Sequence, residues 1–508
     1  MFADNWRDHW KLKEEPFVHE DADKDPVLAK LNAAAVHSSF DRLFGDPASP
    51  VPGIVFGEKG SGKSGLRRTM RRRLQDYNEG HPKERAFAVE YIDFDPFLES
   101  MRRHENIGAG SKKTTPKLLE TWQRADHMDA ILSLGITRLV DGITKDSSEG
   151  RKLDSRCKRD LLTLTHLYYR SDEQTRSEGV GGLQKSLSWF SGRPLMFQVL
   201  RILATIIGVL LLALPHLGVL GVILDRFDEW SVRFPGLCHW TGGLLIAGTW
   251  LWTWVTSWFL YGRARRTVNA IRVVPGVARP LAKFLATLPP ATRDELALPQ
   301  RNEDESRYLM LKRLLGVLNK ANYACMFVLV DRVDESTFLG GQAQNMHAFI
   351  EPLLEHKLLQ FEGVALKLFL PIELSRLTIH ASSEELKRMR LDKANTVQEL
   401  IWTGQELLSI ANQRLAAVGS GGDDANGPKL TDFFAPEVQQ DDLREALHHL
   451  GTPRLCFGFL GTLFTEHTRD LPDELEQDDP RWMISQRLFD IQKSAWADRA
   501  RTLRRTLN

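Results

Sequence analysis

Residues 54–64 read IVFGEKGSGKS. Ile54-Val55-Phe56 is an apolar run that fits a buried strand, and it leads directly into Gly57-x4-Gly62-Lys63-Ser64. Glycines at these positions let the backbone fold tightly, so that its amides point at phosphate oxygens. Glu58, Lys59, Gly60 and Ser61 form the body of the loop. Lys63 supplies a charge for the β and γ phosphates of a nucleotide, and the Ser64 hydroxyl suits a magnesium ion. The segment from Lys63 to about Asn78 is helix-like, which sets the loop at a helix N-terminus, where anions are stabilised. The same helix carries Arg67, Arg68, Arg71, Arg72 and Arg73, with 67/71 and 68/72 one turn apart. A solvated face is the default reading of these arginines; an acidic partner surface, phospholipid headgroups or nucleic acid are the alternatives.

A phosphate loop of this kind needs carboxylates at the end of a neighbouring strand. Cys325-Met-Phe-Val-Leu-Val330 is an apolar strand followed by Asp331-Arg332-Val333-Asp334-Glu335. Asp331 is thus the expected metal ligand, and Asp334 or Glu335 the residue that orients or deprotonates water. Phe87–Phe94 and Val364–Leu370 read as further short strands, which predicts an α/β fold with a parallel sheet covered by helices. Asp331 follows Ser64 by more than half the chain, so something large is inserted between the two halves of the site.

That gap contains two charge-free runs, 202–224 and 237–261, separated by residues 225–236. Each is long enough to cross a hydrocarbon layer of about 30 Å, which predicts a two-helix transmembrane hairpin. Pro215 and His216 interrupt the first run, and Trp250, Trp254 and Trp258 share one helix face with Tyr261 near an interface. Lys185, Arg193 and Arg201 precede the hairpin, and Arg263, Arg265, Arg266, Arg272 and Arg279 follow it. By the positive-inside rule both flanks lie in the cytoplasm, which implies a multi-pass protein of the cell inner membrane with both termini and the nucleotide domain cytoplasmic. Leu183, Leu187 and Phe190 beside Trp189 suggest a short helix lying on the membrane surface.

The composition narrows the alternatives. At 508 residues, several structural units are expected. Lys plus Arg (67) balances Asp plus Glu (66), which removes any global electrostatic case for a nucleic-acid partner. Cys157, Cys238, Cys325 and Cys456 show no CxxC spacing, so neither a zinc site nor a disulfide framework is indicated. The charged start MFADNWRDHWKLKEEPF has no signal-peptide core. Near the C-terminus, 397–415 has helical periodicity and 419–428 (GSGGDDANGP) reads as a flexible loop. Gly451-Thr-Pro-Arg454 then opens an apolar helix, from which Arg454 could reach a γ-phosphate. Leu339-Gly-Gly-Gln342 follows the acidic strand rather than preceding it, which argues against a transporter-type ATPase.

The Walker A loop 57–64, the hhhhD-x-h-D strand ending at Asp331 and Asp334, the apolar hairpin between them and the GTPR helical tail together resemble the KAP family of P-loop NTPases, a STAND-like branch near AAA+ proteins. The resemblance implies ATP and magnesium as ligands, Arg454 as a sensor arginine, and Phe17 with Asp21-Ala22-Asp23 as a cover for adenine. It also implies a conformational switch in signalling or phage defence, with a protein partner or self-association. Arg332 stands where AAA+ enzymes carry a catalytic Glu, and Glu335 gives the D-x-h-D-E ending of other STAND proteins. The expected organisation is 1–170 with Walker A, 171–280 with the hairpin, 281–395 with Walker B, and a helical unit at 396–508. Two other readings are a membrane-tethered scaffold that binds ATP structurally, and an ATPase that acts on nucleic acid through the arginine helix.

Overall fold

A computed structural model describes residues 4–18, 25–30, 37–107, 114–146, 150, 152–169, 173–187, 193–213, 235–301, 303–379, 395–419, 427–472 and 474–506. In chain order the principal elements are β1 Gly53–Gly57, α1 Lys63–Gly80, β2 Arg85–Tyr91, α2 Asp95–His104, α3 Arg124–Lys145, α4 Ser155–Tyr168, α5 Arg193–Ala213, α6 Pro235–Ala270, α7 Asp304–Lys320, β3 Tyr323–Val330, β4 Val364–Pro371, α8 Ile372–Ile379, β5 Asn395–Val397, α9 Gly404–Val418, α10 Gln440–Leu450, α11 Pro453–Arg469 and α12 Gln486–Thr506. They divide between two compact units, one made of 1–96, 110–122 and 322–508, the other of 97–109 and 123–321.

The first unit holds a five-stranded sheet in the order β2-β3-β4-β1-β5, with every pairing parallel. Ile54-Val55-Phe56, Met326 to Val330 and Val364 to Leu370 are all buried, as expected for parallel strands covered on both faces. β4 therefore separates β1 from β3. The chain leaving β1 heads for one edge of the sheet, whereas the chain leaving its neighbour β4 heads for the other. Such a reversal marks the crevice at the carboxyl ends of strands where α/β sheets bind ligands.

The same unit includes a helical core built from α9, α10, α11 and α12 around Leu407, Leu447, Phe464 and Phe489. The start of the chain belongs to it. Trp6 is fully buried there, and its Nε1 donates to the Trp482 carbonyl at 3.2 Å.

The second unit is helical. Buried ion pairs tie its core together: Arg307 on α7 lies 3.3 Å from Asp129 on α3, and Arg272, just after α6, lies 2.6 Å from Asp126 on α3. The Tyr168 hydroxyl donates to Asp129 at 2.9 Å, and burial pushes Asp129 up to about 6 although Arg307 opposes the shift. α5 and α6 form a closely packed hairpin. A Cβ on Gly208 would lie 2.6 Å from Ile246, and one on Gly242 would lie 2.6 Å from the Gly208 carbonyl, so only glycine permits this approach.

The membrane expectation is corrected by the same helices. Among the described residues no helix is long and apolar enough to cross a membrane, which overturns the transmembrane hairpin and the multi-pass inner-membrane location inferred from it. A run without charge is not thereby apolar: 237–261 contains His239, Thr241, Thr249, Thr253, Thr256 and Ser257 as well as three glycines. α5 is described only to Ala213. Pro215, His216 and the loop charges Asp225, Arg226, Asp228, Glu229 and Arg233 lie outside the described residues. The surface helix expected near 183–190 is also corrected, because Leu183 and Leu187 are fully buried. Trp189 and Phe190 lie outside the described residues.

One buried cation ties the sheet to the segment before it. Lys367, in the middle of β4, donates from Nζ to the carbonyls of Leu43 (2.6 Å), Phe44 (3.0 Å) and Val51 (2.7 Å). Burial lowers its pKa from 10.5 to about 7. Between those values the unfolded chain binds more protons than the folded one, so this residue makes stability rise with pH across that window. The urea midpoint should thus climb from about pH 7 to about pH 10 more steeply in the wild type than in Lys367→Met. Parallel curves would contradict the assignment.

Candidate functional site

The loop after β1 is closed by a bond from Ser61 N to the Glu58 carbonyl at 3.1 Å, and α1 starts at Lys63. Gly60 and Gly62 have φ of 89° and 93°, the left-handed region that favours glycine. Space is as restrictive as conformation. A Cβ on Gly60 would meet Arg454 at 2.8 Å, one on Gly62 would meet Pro453 and Trp402 at 3.2 Å, and one on Gly57 would meet Ser61 Oγ at 2.4 Å. Ser61 Oγ is buried and has no hydrogen-bond partner among the described residues. α1 has neither a capping side chain nor an acidic residue in its first turn. An 18-residue helix therefore opens its positive end on the loop.

Lys63 is buried, and its Nζ donates to the carbonyls of Gly57 at 2.7 Å and Glu58 at 2.9 Å. Its pKa is lowered, chiefly by burial, while Asp334, Asp331 and Glu373 pull the other way and Arg454 adds to the lowering. One lysine is thus electrostatically linked to the loop after β3, to the first turn of α8 and to the start of α11.

Asp331 directly follows β3 and is buried. Its Oδ1 accepts from Arg332 N at 2.9 Å, its Oδ2 accepts from Arg67 Nε at 3.0 Å, and the Ser64 side chain is hydrogen-bonded to it. Burial raises its pKa, opposed first by Arg67 and then by Ser64. Arg332 takes a left-handed conformation (φ 65°), which turns the chain out of the strand into a short 3-10 turn at Val333–Glu335. Within that turn Asp334 is half-buried and acts on Lys63, whereas the Glu335 side chain is 55% exposed and lies 3.4 Å from Arg332. The following residues are anchored by Asp95, whose carboxylate accepts from the Ser336 hydroxyl and from Thr337 N at 3.0 Å. Burial tends to raise the Asp95 pKa, but these bonds hold it below the usual carboxylate range.

The C-terminal helices close the other side of the loop. Thr452 caps α11 by accepting from Leu455 N, and Arg454 N donates to the Gly60 carbonyl at 3.3 Å. The Trp402 indole donates to the Ser61 carbonyl at 2.6 Å, and Leu400 N donates to the Phe56 carbonyl at 2.8 Å.

Of the residues expected from the sequence, Lys63, Ser64, Asp331, Asp334 and Arg454 come together. Phe17 is 4% exposed, stacks on Phe457 of α11 at 5.8 Å and shares its core with Trp402. Asp21, Ala22 and Asp23 lie outside the described residues. Arg67 is not part of a solvated face, since it is buried and bridges Asp331 and Glu90. Four participants were missed. Glu373 follows strand β4 as Asp331 follows β3, so the rule that found one would have found the other. Glu90 is a charge inside an apolar strand, which is itself a signal. Asp95 and Trp402 had none.

Ser64 and Asp331 supply adjacent hard oxygens, a donor set that fits a magnesium ion completed by phosphates and water. The bare helix N-terminus and Lys63 fit the phosphates. No family model, no curated protein and no solved structure matches the chain. Two glycines separate the local constraints. Gly60→Ala should destabilise the protein by about 1–3 kcal/mol because of its backbone conformation and the contact with Arg454. Gly65→Ala, in a helix with nothing near its Cβ, should be neutral or stabilising by about 0.5–1 kcal/mol. Urea unfolding of both variants checks this, and equal effects would contradict it.

Proposed function

We propose that the sheet-bearing unit is an NTPase module that binds ATP with magnesium and hydrolyses it. The observation that supports this reading is the meeting, at the carboxyl edge of one parallel sheet, of Lys63 and Ser64, of Asp331 and Asp334, and of Arg454. In this reading Lys63 exchanges its two carbonyl partners for phosphate oxygens, and the first amides of α1 donate to the same group. Ser64 and Asp331 would hold the magnesium ion, which would supply positive charge beside the phosphates. The bound nucleotide supplies an electrophilic γ-phosphoryl group. Asp334 orients the attacking water and accepts its proton; it is favoured over Glu335, which faces solvent and Arg332. Arg454 brings positive charge from α11, so the site is complete only when the C-terminal helices rest against the loop. That dependence suits a conformational switch, and the KAP-like pattern makes signalling or phage defence its proposed setting.

A second reading, a scaffold that binds ATP without turnover, is favoured by the ion pair that Arg67 makes with Asp331. Action on nucleic acid through the arginine helix is disfavoured, because Arg67 and Arg71 are bound to Asp331 and Glu90.

Calorimetry and a phosphate-release assay test the proposal together. Lys63→Ala should weaken ATP binding about 10- to 100-fold, the loss of one charge-assisted bond. Asp334→Asn should keep binding and lose hydrolysis by about 10²- to 10⁴-fold, while Glu335→Gln should retain both. Hydrolysis indifferent to Asp334 would overturn its catalytic role. Binding without any hydrolysis in the wild type would establish the scaffold.

A further inference from the structure

We propose that Arg67 is an internal latch that competes with the metal for Asp331 and so sets how much divalent cation the site requires. The inference rests on the metal-nucleotide reading of the same site. Arg67 projects from α1, three residues after Ser64, and is 2% exposed. Its Nε occupies Asp331 Oδ2 at 3.0 Å while Arg332 N occupies Oδ1 at 2.9 Å and Ser64 takes a further bond. Every oxygen of the metal carboxylate is therefore already bonded within the protein. A dication beside Asp331 would face the Arg67 guanidinium at close range, and the two cannot share Oδ2 without repulsion.

Arg67 has an alternative position. Its Nη1 is already bonded to Glu90 on β2, and Glu90 also accepts from Arg71 at 2.9 Å. Glu90 is the more accessible of the two carboxylates, at 20% against 2% for Asp331. Metal entry thus shifts Arg67 from a bridge across two carboxylates onto Glu90 alone. An apparent affinity is reduced by the fraction of protein in the competent state, so a latch open for about 1–10% of the time weakens metal binding about 10- to 100-fold. Arg67 is a positioning residue: it acts through Asp331.

The test uses Mn2+ alone, titrated into the full chain without nucleotide and read by electron paramagnetic resonance. Arg67→Gln should bind Mn2+ at least about tenfold more tightly than the wild type, and the gain should vanish in Arg67→Gln/Asp331→Asn. Glu90→Gln, which removes the alternative dock, should weaken Mn2+ binding several-fold; circular dichroism verifies that each variant is folded. Undetectable, unchanged or weaker Mn2+ binding in folded Arg67→Gln, or a gain that survives Asp331→Asn, overturns the latch. Should Arg67→Gln not fold, Glu90→Gln decides: Mn2+ binding equal to or tighter than the wild type overturns it. Because nucleotide is absent from this titration, a protein that fails to bind ATP would defeat the proposed function and leave the Arg67 comparison readable.

Discussion

The pairing of β1 with β4 and of β4 with β3 is the constraint on which the site depends. Gly57 pairs with Pro371, and Val330 pairs with Leu368, so the loops that follow three strands emerge at one edge of the sheet. Lys63 and Asp331, remote in sequence, become neighbours through that register alone. Parallel pairing needs long crossovers. It also buries both faces of the strands, which is why Lys367 inside β4 must find three carbonyls and why Asp331, at the end of β3, lies under enough protein for burial to raise its pKa.

The crossover from β2 to β3 carries the second unit. β2 and β3 are adjacent and parallel, and the chain between Tyr91 and Tyr323 folds largely on itself. Closure entropy grows only slowly with loop length, so a crossover of this size is tolerated when the inserted residues have their own core. That core is secured by Asp126 with Arg272 and Asp129 with Arg307, pairs so buried that removing one partner would leave an uncompensated charge.

Much of the geometry of the loop after β1 was legible in the chain because it is local: glycine spacing fixes the turn, and an apolar run ending in Asp fixes a strand terminus. The strands expected at 87–94, 325–330 and 364–370 fall within a few residues of those observed. Long-range contacts were less legible. Nothing in the pattern of Arg67, Arg68, Arg71, Arg72 and Arg73 distinguished the one that turns inward, because helix periodicity gives a face and not its neighbour. Trp402 reaches Ser61 through a loop with no periodicity at all. The apolar runs differ for another reason: absence of charge is not apolarity, and threonines, a serine and glycines dilute α6.

A crystal structure with Mn2+ and a non-hydrolysable ATP analogue tests whether Lys63 and Asp331 serve one metal nucleotide, as proposed. A single anomalous manganese peak is expected beside Ser64 and Asp331, with the analogue's phosphates on Lys63. A nucleotide bound away from this loop, or manganese bound apart from both residues, would contradict it.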